Sequence, residues 1–315
     1  MRTGSSALTR GLGALGMELG NRIQSSDKVA NPTGFWEDTF IYQTLHQVYR
    51  AVGLGDRLST SVGNIPAERW QNPEVIRLAN AAADYIRKSS ANAGAQICAF
   101  KNPSIGRLMP FWRRVIKIAG ADDYYIVTTR SPAAVAASAK RAWNIPADVS
   151  YALWVQFTIG ALLPAKDGRP TLVVDYDEFL DDPAVQLARI AAMTNLCTSE
   201  DRSEKIETFC REFVRPELRH FDEHSGQPGA APPPLLLEMY DVLQSAARDG
   251  MELNSEVFAP LWHGMDQRAA DFTCQLSALD EVRRLGFARR LYWRTRSALR
   301  DSLSRMQASA AGRLK

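Results

Sequence analysis

The sequence predicts an α/β fold in which helices cover both faces of a central parallel β-sheet. Three short segments, residues 95–101, 123–129 and 171–176, are largely apolar and contain β-branched or aromatic residues. Each is followed by a turn and a helical pattern, and strands that alternate with helices form parallel sheets. Because ligands of such sheets bind beyond the carboxyl ends of the strands, functional residues are expected there. The residues predicted at those ends are Lys101, Arg130 and Tyr176.

Helices are predicted before, between and after these strands. The first spans residues 5–16, with Ser5 or Ser6 as its amino-terminal cap and Gly16 at its end. Further helical patterns occupy residues 36–53, 73–90, 102–120, 131–143, 181–195 and 234–250.

Composition and charge divide the chain of 315 residues into three predicted parts. Residues 1–250 carry the alternating strand and helix pattern, residues 251–280 form a helical extension, and residues 281–315 form a basic amphipathic helix. This last part holds ten basic and two acidic residues, a net charge of +8, whereas the other 28 basic and 33 acidic residues give −5. A basic tail on a mildly acidic body indicates contact with an anionic surface.

The composition also limits the class of protein. No apolar run reaches the length of about 18 residues that a spanning helix needs. The four cysteines form no C-x-x-C pair and have no histidine at ligand spacing, so we expect reduced thiols, no metal site and a cytoplasmic location.

The opening sequence MRTGSS has the properties of an anion-binding loop. It is not a Walker A motif, but Gly4 permits an unusual turn and the following helix points its N–H groups and positive dipole end at the loop. Arg2 adds charge and Thr3 adds a hydroxyl. A disordered, serine-rich start is the alternative interpretation.

Five segments in the same order along the chain resemble PAPS-dependent sulfotransferases. RTGSSALTRGLGALG (2–16) is similar to the phosphosulfate loop and helix of that family, and NPTGFWE (31–37) to a segment of its bacterial carbohydrate and tyrosylprotein-type branch. FKNPS (100–104) resembles its K-D-P segment, TTRSPAAVAASAKRAW (128–143) its R-x-P-x-x-x-x-x-S box, and VVDYDEFLDDP (173–183) the strand and loop after it.

This resemblance implies a fold and a donor. The fold is a P-loop three-layer sandwich, and the donor is 3′-phosphoadenosine 5′-phosphosulfate, with no metal required. Arg130 and Ser138 are implied to bind its 3′-phosphate, although Ser138 could instead be a small helix-packing residue. The residues implied to hold the 5′-phosphosulfate are Arg2, Thr3, Gly4, Ser5, Ser6, Ala7 and Leu8.

The resemblance also implies two catalytic residues. Glu37 would be the general base, with Asp38 and His46 as rival candidates and a simple helix-dipole role as the alternative for Glu37. Lys101 would meet the charge on the sulfate oxygens. Its alternative is a strand-end lysine that extends to solvent.

Two further groups of residues carry weaker expectations. Arg215, Arg219 and His220 lie in a segment that could close over the donor. Trp143 and Trp154 are expected to pack beneath the acceptor cleft rather than to bind a ligand.

The phosphate loop of an α/β protein follows a central strand, and Met1 leaves no room for one. We therefore expect Met1 to be internal to a longer natural protein, with a first strand of roughly six to ten residues before it.

The predicted function is transfer of a sulfuryl group to a hydroxyl of a carbohydrate or glycolipid. Residues 281–315 would contact an anionic membrane peripherally at its inner face, or form a solvated helix, and no nucleic acid partner is expected. Two alternatives are a P-loop nucleotide kinase, for which Asp175 is the nearest magnesium ligand, and a non-catalytic protein that keeps the fold and docks at a membrane.

Overall fold

Helices dominate the part of the chain that the structure describes, and two short strands form the regular sheet of that part. The computed structural model describes residues 2–20, 23, 34–54, 65–93, 97–196, 199–213, 231–250, 253, 256, 259–260, 262–265, 267–268 and 270–272. The helices are α1 (Ser5–Ala14), α2 (Thr39–Ala51), α3 (Pro73–Ala93), α4 (Met109–Ala119), α5 (Pro132–Trp143), α6 (Ala147–Lys166), α7 (Tyr176–Asp181), α8 (Pro183–Met193), α9 (Glu200–Glu212) and α10 (Pro234–Asp249). Two 3-10 helices span Ala67–Gln71 and Pro103–Leu108.

The sheet consists of two parallel strands, as predicted for the second and third strand segments. Strand β1 (Tyr125–Thr129) pairs with β2 (Thr171–Asp175) in a register that sets Val127 opposite Val173. Helices α5 and α6 connect them, which is the kind of crossover that parallel strands require.

The prediction of a regular strand at 95–101 is wrong within the described residues, which exclude 95 and 96. Cys98 makes one isolated parallel bridge to Glu18, in which the Glu18 N–H donates to the Ile97 carbonyl (3.0 Å) and the Ala99 N–H to the Glu18 carbonyl (2.7 Å). Pairing along a single residue does not make a ladder, and among the described residues no strand pairs with the other edge of this segment.

The predicted helices are confirmed with shifted ends, except that the one at 102–120 is divided into the 3-10 helix Pro103–Leu108 and α4. Two of the shifts affect the site. Gly4, in a left-handed conformation (φ 78°), replaces Ser5 or Ser6 as the cap of α1. Helix α2 begins only after Asp38, whose side chain accepts the Ile41 N–H at 2.9 Å. Glu37 therefore precedes the helix and is not in its first turn.

The sequence pattern does not predict α6, α7 and α9. Tyr176, predicted to end the third strand, instead begins α7 after Asp175. Helix α6 is apolar on almost every side, and the run Tyr151–Val155 is entirely buried, so it lacks the 3.6-residue periodicity of a surface helix. Helix α9 is too polar to show an apolar stripe, because Phe209 is its single buried residue and most of its other residues are charged.

Helices cover both faces of the two-stranded sheet. Val127 and Val173 lie in one apolar cluster with buried residues of α5, α6 and α10. Ile126 and Val174 belong to another cluster, which includes α1, α8 and α9. Because successive side chains of a strand point to opposite faces, these clusters lie on opposite sides of the sheet, which is compatible with an α/β class. A third cluster joins α2, α3 and α4.

The remaining parts of the chain are described incompletely. Trp262 and Met265 are buried in the cluster that contains α10, while residues 281–315 lie outside the described residues. Cys98 and Cys210 are free thiols. None of the helices in the described ranges is both long and apolar enough to cross a membrane.

A contact between two glycines holds the segment after Lys101 against α6. A Cβ at Gly160 would overlap the carbonyl group of Gly106, and a Cβ at Gly106 would lie 2.8 Å from the Phe157 carbonyl oxygen. Helix α6 and the 3-10 helix at Pro103–Leu108 therefore approach with their backbones in direct contact.

We expect Gly160→Ala to lower the free energy of unfolding by about 1–3 kcal/mol, because the new methyl group must push two backbones apart. The measurement is urea denaturation followed by circular dichroism. The matched control is Gly264→Ala, another helical glycine, at which an added Cβ meets no atom within 4 Å. Equal stability of the two variants would show that the glycine contact is not tight.

Candidate active site

The loop before α1 is fixed by backbone geometry. Arg2 and Gly4 both adopt left-handed conformations (φ 62° and 78°), and a Cβ at Gly4 would overlap the ring of Tyr176. The first hydrogen bonds of α1 run from Ala7 (3.0 Å) and Leu8 (3.2 Å) to the Gly4 carbonyl. The helix has no side-chain cap and no acidic residue in its first turn, so the positive end of its dipole faces the loop.

The side of the loop toward α5 carries two arginines. The Arg2 Nε donates to the Ser138 Oγ at 2.9 Å, across 136 positions of sequence. The guanidinium of Arg130 lies 4.4 Å from the centroid of the Tyr176 ring. Arg130 and Ser138 are both buried. Arg2 bonds to Ser138, and the charge of Arg130 acts on the Arg2 guanidinium, so both residues implied to bind the 3′-phosphate lie near Arg2.

Burial and repulsion act together on Arg2. Burial lowers the pKa of its guanidinium, and the positive charges of Arg130 and Arg141 lower this pKa further. An anion between these groups would act in the opposite direction and stabilise their charged forms. The cluster therefore favours a bound anion on electrostatic grounds.

The other side of the loop carries a buried ion pair. The Lys101 Nζ donates to Glu37 Oε1 (2.7 Å), to Ser6 Oγ (3.2 Å) and to the Phe35 carbonyl (2.8 Å). The amide of Asn102 donates to Glu37 Oε2 at 2.6 Å. The side chains of Lys101 and Glu37 are only 12% and 7% exposed. The structure thus places both predicted catalytic residues at the amino end of α1.

The charge of Lys101 depends on its partners. Burial lowers the pKa of its ammonium group, Glu37 acts in the opposite direction, and Arg2 lowers the pKa further. Burial has the largest effect and disfavours the charged ammonium group. A second anion beside Lys101 would therefore stabilise its charged form.

The rival bases have structural roles. Asp38 caps α2 through one oxygen and accepts the Tyr85 hydroxyl at 2.6 Å through the other. His46 contacts the edge of the Tyr42 ring, with ring centroids 4.5 Å apart. Both contacts belong to the packing of α2, and the structure gives neither side chain a contact with Lys101.

The other predicted loop residues have more local contacts. Thr3 and Thr128 share a hydrogen bond between their hydroxyls (2.7 Å), which fixes the loop at the end of β1. The Ser5 carbonyl accepts the Thr9 hydroxyl at 2.7 Å. Leu8 is buried in the cluster with α8 and α9, so its side chain serves packing.

The tryptophans differ from the expectation in one case. Trp154 is buried, and its indole N–H donates to the Arg130 carbonyl at 3.2 Å. Trp143 is 41% exposed, and its ring lies 5.2 Å from the Arg2 guanidinium. Arg215, Arg219 and His220 lie outside the described residues.

Sequence reasoning missed Asn102, which holds the second oxygen of Glu37. Its position directly after Lys101 in FKNPS was the available signal, but the contact with Glu37 spans 65 positions. The described residues contain no group of three or more His, Cys, Asp and Glu side chains that could hold a metal ion.

Comparisons with known proteins add no relative. The chain matches no protein-family model, no curated protein and no solved structure.

We expect Lys101→Met to lower the free energy of unfolding by about 3–5 kcal/mol, because it leaves the Glu37 carboxylate buried without its cation. Adding Glu37→Gln to Lys101→Met should restore part of this loss, and urea denaturation of the three proteins measures it. The control is Arg77→Met, which breaks the exposed Arg77–Glu74 pair and should have no measurable effect. Identical losses in the single and double variants would show that the pair is not coupled.

Proposed function

We propose that the protein is a sulfotransferase that uses 3′-phosphoadenosine 5′-phosphosulfate. The observation that supports this function best is that one loop carries cations on two sides. Arg2 bonds to Ser138 beside Arg130 on one side, and Lys101 bonds to Ser6 beside Glu37 on the other. A donor with phosphate groups on both the 3′ and the 5′ oxygen of its ribose fits two such sites, and a nucleotide with a 5′-phosphate alone fits one.

The site toward α5 would bind the 3′-phosphate. Arg130 is buried, and a guanidinium can give two parallel hydrogen bonds to one phosphate. The Ser138 hydroxyl offers another polar contact from within α5. This arrangement supports a preference for a nucleotide with a 3′-phosphate.

The amino end of α1 would hold the 5′-phosphosulfate. The loop from Arg2 to Leu8 combines a helix dipole with hydroxyl groups, and Lys101 stands beside it. When bound, the donor would supply the sulfuryl group: the acceptor oxygen forms a bond to sulfur, the bond between sulfur and the bridging phosphosulfate oxygen breaks, and adenosine 3′,5′-bisphosphate leaves. Positioning and electrostatic stabilisation are then the main tasks left to the protein.

Glu37 would accept the proton of the acceptor hydroxyl. Its carboxylate is buried, and Lys101 and Asn102 hold one oxygen each, which fixes its orientation. Lys101 can move its hydrogen bonds from Glu37 to an oxygen of the donor. That shift would leave the base beside the acceptor and the cation on the developing charge.

A P-loop three-layer sandwich is the finer fold that we propose. Its support is the position of the loop at the ends of β1 and β2, with helices on both faces of the sheet. The acceptor is proposed to be a hydroxyl of a carbohydrate or glycolipid. A cytoplasmic location with peripheral membrane contact through residues 281–315 rests on the sequence alone.

A nucleotide kinase is less well supported. Asp175, the candidate magnesium ligand, is fully buried and caps α7 by accepting the N–H groups of Asp177 (2.9 Å) and Glu178 (3.3 Å). It also accepts the Tyr240 hydroxyl at 3.0 Å. These contacts give Asp175 a structural role.

Nucleotide preference tests the donor site. We expect adenosine 3′,5′-bisphosphate to bind about 10–100 times more tightly than adenosine 5′-phosphate in calorimetric titrations. This ratio corresponds to the free energy of one or two hydrogen bonds to a charged group. Arg130→Gln should remove this preference and leave the affinity for the monophosphate unchanged. Arg77→Gln, at an exposed position, is the control. A preference that survives in Arg130→Gln would contradict the assignment.

Turnover tests the catalytic assignment. We expect Glu37→Gln to reduce release of adenosine 3′,5′-bisphosphate from the donor by about 10²–10⁴-fold, the usual contribution of a general base, without weaker donor binding. The assay uses a panel of carbohydrate and glycolipid acceptors, with Glu74→Gln as the control. Full activity of Glu37→Gln would exclude it as the base, and donor binding without turnover in the unmodified protein would favour the non-catalytic alternative.

A further inference from the structure

A groove lies between α1 and α9, beside the residues that precede α2. Its volume is about 520 Å³, which is within the range of about 300–1,000 Å³ for sites that bind small molecules. Arg10 lines the groove from α1, and Trp36 lines it from the segment before α2. The wall formed by α9 and the residue after it includes Asp201, Glu204, Lys205, Thr208, Glu212 and Phe213. We call this the α1–α9 groove.

Two aromatic rings hold a guanidinium in this groove. The Cζ atom of Arg10 lies 3.9 Å from the centroid of the Phe213 ring and 5.4 Å from the centroid of the Trp36 ring. Burial lowers the pKa of this guanidinium, and the charge of Glu212 acts in the opposite direction. Because Arg10 contacts both rings, its N–H donors are held at a defined place beside Trp36.

The wall from α9 supplies acceptors. Asp201, Glu204 and Glu212 each contribute a carboxylate, and Asp201 also bonds to Lys205 at 2.7 Å. The described residues that line the groove include two cationic and three anionic side chains, a net charge of −1. A hydroxyl group both donates and accepts, so a sugar can bond to the carboxylates and to Arg10 at once. An anionic ligand would instead be disfavoured by the net charge.

The residues before α2 connect this groove to the candidate base. The Ser6 hydroxyl donates to the Phe35 carbonyl at 3.2 Å, and the next residue, Trp36, lies against Arg10. Ser6 and Arg10 are four residues apart on α1, which is about 6 Å of helical rise and comparable to the length of one sugar ring. Glu37 directly follows Trp36. A sugar in the groove would therefore have one end near Glu37.

We propose that the α1–α9 groove binds a neutral sugar unit, whose ring packs on Trp36 and whose hydroxyls bond to Arg10 and to the carboxylates of α9. The C–H groups on one side of a sugar ring suit the negative face of an indole. That the groove is the acceptor subsite rests on the proposed function. The sugar hydroxyl beside Glu37 would then give its proton to that carboxylate while its oxygen bonds to sulfur. The bond from sulfur to the bridging oxygen would break, with release of adenosine 3′,5′-bisphosphate.

The first test is saturation-transfer NMR of the full chain with cellobiose, lactose and maltose, without a nucleotide. At least one of these neutral disaccharides should bind in the millimolar range, and Trp36→Ala should weaken that binding about tenfold. Thr208→Trp, which fills the groove from α9 and leaves the segment before α2 intact, should abolish it. The matched control is Glu207→Trp, on the same helix at an exposed position outside the groove. Binding of none of the three sugars, or equal binding by the two tryptophan variants, overturns the proposal.

The second test is charge selectivity. The bound disaccharide is compared with its uronic acid form, in which a carboxylate replaces one hydroxymethyl group. Glu204→Lys combined with Glu212→Lys should shift the ratio of the two dissociation constants about 3–10-fold toward the acid at low salt, and the shift should shrink at high salt. Glu207→Lys is the control. An unchanged ratio in the double variant contradicts the assignment of these carboxylates.

Turnover with the donor separates failure of this proposal from failure of the proposed function. Sulfuryl transfer whose KM for the sugar is unchanged in Thr208→Trp would keep the function and overturn the groove as acceptor subsite. Sugar binding that Thr208→Trp abolishes, without any sulfuryl transfer, would keep the sugar site and contradict the function. Binding of tetralysine in place of the sugars would overturn the proposal and identify the groove as a site for cationic peptides.

Discussion

The ion pair between Lys101 and Glu37 is the interaction on which the candidate site depends. It joins residues 64 positions apart and also reaches Ser6 and the Phe35 carbonyl. Burying two charges is unfavourable unless the remaining donors and acceptors are satisfied, and here Asn102 satisfies the second oxygen of Glu37. The pair therefore joins two irregular segments, 35–37 and 101–102, to each other and to the first turn of α1.

The bond between Arg2 and Ser138 gives the loop a second point of attachment. Lys101 contacts Ser6, and Arg2 reaches α5 in the opposite direction, so both ends of the loop are tied to distant elements. The pKa values of Arg2 and Lys101 are both lowered, chiefly by burial. Both cations lie beside the amino terminus of one helix, where burial disfavours their charged forms. A bound anion would stabilise these charges, and this is the physical basis for expecting a phosphorylated ligand.

Local patterns were enough for some elements and not for others. Apolar periodicity and the Gly and Pro residues that end it predict β1, β2 and α3. Local patterns do not predict the cap of α1, because the ring of Tyr176, which is far away in sequence, requires Gly4 there. They also cannot separate Glu37 from Asp38, because Asp38 is held by the Tyr85 hydroxyl across 47 positions. The sequence could propose candidates for the site, but long-range contacts decide which of them lie together.

The loop before α1 is held in a conformation that costs free energy. Arg2 has a left-handed backbone, which costs a non-glycine residue about 1–2 kcal/mol unless its surroundings enforce it. The hydrogen bonds from Arg2 to Ser138 and between Thr3 and Thr128 tie the loop to α5 and to β1. An anion bound to the loop would favour the same conformation. By linkage, the contacts that hold the loop in this conformation before an anion binds would raise its affinity for the anion by the free energy that they supply.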